Sequence, residues 1–140
     1  MQRRLYETYG LIFIIMGAIY YGIEILWDGS SHWSMFVLGG VCGVLIGLIN
    51  EFRRTWDMAI WKQVLIGEGI VLPLEFIVGC IVNLWFKLHV WDYSHLPFNI
   101  LGQTSLLYAI FFLPLIVLAI FLDDYLRYWL FDGAKPIYHL

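Results

Sequence analysis

Glu75 and Glu68 are the side chains of this sequence that most need a chemical explanation. Both lie inside an apolar run from about Trp61 to Phe86 that is long enough to cross a bilayer. An ionised carboxylate at the centre of a bilayer costs about 2.5–3.5 kcal/mol on the mildest scale, and such residues mark ion or proton pathways. Glu75 falls near the middle of the run, and Glu68 lies seven residues earlier, on the same helix face about two turns away. Asn83, eight residues beyond Glu75, continues the polar stripe in the other direction. Pro73 has no N–H and so frees the carbonyl of Gly69, while Gly67 and Gly69 bracket Glu68. A weakened helix lined with acids is the pattern expected where backbone and carboxylates line a cavity or hold a cation. The chemistry this predicts is binding and release of a proton or cation. Glu75 is its centre, Glu68 the inner relay and Asn83 the outer neutral ligand. The competing role for Glu75 is a protonated packing residue hydrogen-bonded to a neighbouring span.

Other polar residues extend this set. Gln103, Thr104 and Ser105 stand near the outer end of the last apolar run, where they can face the glutamate-bearing span. Glu24 and Asp28 can form an acidic mouth on the same side, or be solvated at the interface. His89, Asp92 and His95 recur at three-residue intervals, a spacing that would suit metal ligands on a helix. Pro97 and the surrounding aromatics favour a turn instead, so no metal is expected. Asp92 then caps a turn, and Asn99 caps the start of the last span. Gly39, Gly43 and Gly47 repeat at four-residue spacing and form one flat helix stripe. Such a stripe permits close helix contact, either within one chain or along a homo-oligomer seam.

The elements that position these residues follow from composition. The chain has 140 residues, of which 61% are hydrophobic and 14% charged, and its mean hydropathy is +0.78. Soluble domains carry about 25% charged residues, so an integral membrane protein is the class that remains. Eight Lys+Arg against eleven Asp+Glu leave no basic surface for nucleic acid. The prediction is an all-α, polytopic membrane protein forming one transmembrane domain over residues 1–140. Its four spans lie at about 5–26, 35–49, 61–86 and 100–122, followed by a short tail at 123–140.

Orientation comes from the basic residues. Arg3, Arg4, Arg53, Arg54, Lys62, Arg127 and Lys135 fall on one side of the four-span arrangement and only Lys87 on the other. Both termini are therefore expected in the cytoplasm. Trp27, Trp33, Trp85 and Trp91 flank the outer turns, and Trp56, Trp61 and Trp129 the inner ends, where indoles prefer to sit. The first span ends in Glu-Ile-Leu-Trp-Asp, with no small-residue cleavage site, and reads as a retained anchor. Cys42 and Cys80 both lie inside spans, which argues against a disulfide framework and fits small apolar packing.

No phosphate loop, GxSxG elbow, HExxH or CxxC occurs. Neither enzymatic activity nor a cofactor is expected, and any ATP hydrolysis must come from another protein.

Several strings have a specific likeness. Glu75-Phe76-Ile77-Val78-Gly79, Ile81-Val82-Asn83-Leu84-Trp85, Trp91-Asp92-Tyr93-Ser94, Pro97-Phe98-Asn99 and Gly102 form one block. Ser31-His32-Trp33-Ser34-Met35-Phe36, Gly47-Leu48-Ile49-Asn50-Glu51 and Asp123-Asp124-Tyr125-Leu126-Arg127 add to it. With these the chain resembles a bacterial family of small membrane proteins labelled putative ABC-transporter type IV, or putative ABC transporter permeases. The resemblance implies a multi-pass protein of the bacterial cell membrane with a transport-related role, as a permease or channel-like subunit. The expected partners are the lipid bilayer from the composition, a second copy of the chain from the glycine stripe, and, with a transport-related role, a separate ATPase or other membrane subunit. The alternative is a structural or regulatory membrane protein acting through helix–helix association.

Overall fold

The computed structural model describes residues 2–29, 31–51 and 59–130. Four helices account for most of them: α1 (Gln2–Asp28), α2 (Trp33–Glu51), α3 (Ile60–Gly79) and α4 (Leu106–Leu130). The helix of α3 widens into a π-helical segment over Cys80–Trp85. Three helical stretches, Tyr6–Trp27, Ile60–Trp85 and Leu106–Leu130, are long and apolar enough to cross a membrane. The fourth, Trp33–Ile49, is apolar but shorter. At 1.5 Å per residue it covers about 25 Å, slightly less than a typical hydrocarbon core.

Helices form here because a bilayer offers the backbone no other hydrogen-bond partners. What joins them is close packing, since lipid is as apolar as leucine. The core cluster comprises Ile46 and Ile49 of α2, Val64 of α3 and Phe112, Ile116 and Ile120 of α4. Against the glycines of α2, α1 packs Phe13, Met16 and Tyr20, and Ile12 of α1 is fully buried. The glycine stripe of α2 faces inward. A Cβ on Gly39 would strike Tyr20, one on Gly43 would strike Met16, and one on Gly47 would strike the Asp123 carboxylate. All three contacts are within one chain. Leu65, Ile77 and Ile110 are exposed away from the core, a surface suited to lipid.

The last span begins later than its apolar run. Residues from Asn99, expected to open a helix at about residue 100, instead make a small antiparallel hairpin. Asn99 pairs with Ser105 and Ile100 with Thr104. Its turn places Leu101 and Gly102 at φ 53° and 71°, both positive as in the primed hairpin turns. Ser105 caps α4: its Oγ accepts the Tyr108 N–H at 3.3 Å. Asn99 serves the preceding turn, donating to the Leu96 carbonyl at 2.7 Å and accepting from the Gly102 N–H at 3.0 Å. At the other end α4 continues to Leu130, so the segment expected as a tail from 123 starts as helix. Arg53, Arg54, Thr55 and Trp56, together with Ser30, Lys135 and the rest of 131–140, lie outside the described residues.

Candidate functional site

The connection between the π-helical segment and α4, residues 86–105, folds back against the helices. Irregular backbone is tolerated at membrane depth only where protein satisfies it, and two side-chain systems do so here.

The first is built on Glu75. It is 2% exposed and lies in the middle third of the apolar helix Ile60–Trp85. Its Oε1 accepts the Tyr93 hydroxyl at 3.1 Å, and its Oε2 accepts the Thr104 hydroxyl at 3.1 Å. Tyr93 is held from three directions. Its ring stacks on Tyr108 at 4.2 Å between centroids, its N–H donates to the Gly102 carbonyl at 2.8 Å, and its carbonyl accepts the Leu96 N–H at 2.9 Å. Burial first, then the Glu75 carboxylate, pushes the Tyr93 phenol well above its ordinary range. It therefore stays a hydrogen-bond donor.

The second system joins Asn83 and Gln103. Asn83 Nδ2 donates to Gln103 Oε1 at 2.8 Å, and Asn83 Oδ1 accepts the Val90 N–H at 2.7 Å and the Trp91 N–H at 3.4 Å. Gln103 Nε2 donates to the Leu101 carbonyl at 3.1 Å, and the Trp91 indole donates to the Gln103 carbonyl at 3.0 Å. Trp91 is thus turned inward as a clamp, whereas Trp27, Trp33, Trp61, Trp85 and Trp129 are exposed near helix ends. Gly79 makes the approach possible, because a Cβ there would collide with Gln103 and Trp91.

Asp92 lies apart from both systems. Its Oδ1 accepts the Ser94 N–H at 2.9 Å, and hydrogen bonding from Ser94 holds its carboxyl below the ordinary range. Among the described residues no three His, Cys, Asp or Glu side chains gather as a metal site.

A cleft with about 120 Å³ of room opens between α1, α2 and α4, with Val71 and Glu75 of α3 contributing to its wall. Apart from Glu75, Tyr20 and Cys42, the lining side chains are apolar or glycine. Of the five residues expected around a cation, only Glu75 lines the cleft. Asn83 and Gln103 bind the connection instead. Glu24 hydrogen-bonds Tyr20 and lies within electrostatic reach of Glu75, as does Glu68. Both Glu68 carboxylate oxygens are shielded from water and meet no hydrogen-bond donor among the described residues.

Several residues were not legible as site residues. Tyr20 and Cys42 are ordinary core types in an apolar helix. Tyr93 belongs to the WDYS string but carried no signal that its hydroxyl reaches Glu75. At the other end of the bundle, Asp123 is fully buried and pairs with Arg127 at 3.0 Å, whose guanidinium lies 5.1 Å above the Tyr9 ring centre.

Chemically, Glu75 offers a carboxyl group with two fixed hydroxyl donors and access to an apolar cleft. A carboxylate has about four acceptor directions, so one on each oxygen remains available after Tyr93 and Thr104. The group can hold a proton or face a cation.

No curated protein and no solved structure matches the chain significantly. Residues 8–130 match the family model described as putative ABC-transporter type IV, and the chain belongs to that family.

Proposed function

We propose that this protein is a transport-related membrane subunit, permease or channel-like, in which Glu75 exchanges a proton or cation. It spans the bacterial cell membrane four times with both termini in the cytoplasm and works with a separate ATPase or other membrane subunit. The observation that carries the reading is an apolar cleft of about 120 Å³ whose wall includes a buried carboxylate in the middle third of a helix long enough to span a membrane. Family membership supports the transport-related role, and the scarcity of charge elsewhere in the spans supports Glu75 as the exchanging group.

The groups facing Glu75 come from every side. Tyr93 and Thr104 approach from the connection, Glu24 from α1 and Glu68 from α3 itself, with Tyr20 and Cys42 within electrostatic reach. Infrared difference spectra of the purified protein in nanodiscs test the exchange directly. A carboxyl band that titrates in the wild type and is absent from Glu75→Gln is expected. A Glu75 that neither titrates between about pH 4 and pH 10 nor responds to any cation overturns the reading.

A second reading has its own observation. Both Glu75 oxygens hold hydroxyls of the 86–105 connection, which favours a structural latch in a membrane protein that acts through helix association. In that case Glu75→Gln is nearly silent, since a glutamine oxygen still accepts one hydroxyl.

A further inference from the structure

We propose that the cleft between α1, α2 and α4 binds a single-chain organic ammonium ion, its charged head at Glu75 and its hydrocarbon along the apolar wall. The inference rests on Glu75 as an exchange site and names the ligand class of that site.

Charge selects a cation. The apolar segments 5–26, 35–49, 63–86 and 106–122 contain four glutamates and no lysine or arginine. Glu24 and Glu68 both lie within electrostatic reach of Glu75, and among the described residues no basic side chain lines the cleft. Among the described residues, an anion entering the cleft would meet the like charge of Glu75.

The walls select an organic ion over a metal. Hard cations such as calcium and magnesium take about six or more oxygen ligands, whereas the cleft presents the Glu75 carboxylate and the Tyr20 phenol among side chains such as Met16, Ile23, Leu38 and Phe112. An alkylammonium reverses those requirements. Its N–H groups fit the two free acceptor directions of Glu75, and its cation can lie on the Tyr20 ring. Its chain needs only apolar contact. The room available, about 120 Å³, is far below that of a drug-sized pocket and suits one slender chain.

Binding is an exchange that balances in charge. Protonated Glu75 releases its proton to solvent as the ammonium arrives, leaving a neutral carboxylate–ammonium pair in the cleft.

Hexylammonium is the probe, applied to the full chain in nanodiscs, with 1-hexanol and sodium as controls and the Glu75 carboxyl band as readout. Hexylammonium is expected to deplete that band at a concentration at least about tenfold below the sodium concentration with equal effect, while hexanol leaves it unchanged. Ala119→Phe, which fills the cleft from α4, weakens the hexylammonium response by about tenfold or more. If the band titrates with pH but hexylammonium acts no better than sodium, the ligand class is wrong and the exchange reading stands. If Ala119→Phe leaves the response intact, the cleft is not the site. A band that never titrates and never responds removes both.

Discussion

The Tyr93 hydroxyl lies 3.1 Å from Glu75 Oε1, across eighteen residues of sequence. That contact ties the 86–105 connection to the centre of a spanning helix, and the Thr104 hydroxyl doubles it from the hairpin side. The acid thus holds the connection in place as well as facing the cleft, and substitutions of its partners separate the two roles.

Tyr93→Phe keeps the ring stacked on Tyr108 and removes only the donor. A loss of about 1 kcal/mol is expected, since hydrogen bonds between membrane segments are worth about that much. In a double-mutant cycle with Glu75→Ala, which removes the acceptor, unfolding in detergent should show coupling between the two positions. Strict additivity would mean that the hydrogen bond contributes nothing to stability.

Helix number and the apolar core were readable from hydropathy, because backbone satisfaction in lipid leaves little alternative to helices. The start of α4 was not. The stretch from Ile100 to Leu107 reads as apolar helix with a few polar residues, but Leu101 and Gly102 turn at positive φ and Ser105 supplies the cap. Glu75 stood out because a midplane acid is costly. Its partners Tyr93 and Thr104 come from a turn whose side-chain directions depend on tertiary contacts. The same holds for Asp123: a carboxylate at the end of an apolar run looks interfacial until Gly47 and Arg127 are seen beside it.

The α2 stripe predicts graded effects of adding a methyl group. Gly47→Ala places a carbon against the buried Asp123 carboxylate, which is also held by Arg127 and has little freedom to move. Overpacking of this kind costs about 1–3 kcal/mol. Gly69→Ala meets open space and should be neutral or slightly stabilising, because alanine favours helix by about 1 kcal/mol. Thermal unfolding of the two variants checks the contrast. Equal effects would mean that the Gly47–Asp123 approach is not tight.

Asp92 predicts a pH effect of definite sign. Its folded carboxyl titrates below the ordinary value of about 3.9 because Ser94 donates to the ionised form. The stabilisation is therefore present above the ordinary value and is lost as pH falls through the lowered folded one. Asp92→Ala should lower the melting temperature at neutral pH and show a smaller further loss on acidification than the wild type. Treatment with a chelator should change neither protein. A stoichiometric metal lost on chelation would reassign His89, Asp92 and His95.

The short α2 makes transmembrane topology the sharpest remaining prediction. Three helical stretches have ample length and Trp33–Ile49 is marginal, so the question is whether α2 crosses or stays on one side. The two cases place the connections on opposite sides. If α2 crosses, Ser94, which is exposed, faces outward and Thr55 faces the cytoplasm. If α2 does not cross, α3 runs the other way, so that Thr55 faces outward and Ser94 inward. Single cysteines at these positions, in a background where Cys42 and Cys80 are replaced by alanine, distinguish the cases with a membrane-impermeant thiol reagent on intact cells. Labelling at Ser94→Cys with protection at Thr55→Cys is expected, in keeping with the seven basic residues assigned to the cytoplasmic side. The reverse pattern would overturn the four-span arrangement with both termini inside and put the Asp92 turn in the cytoplasm.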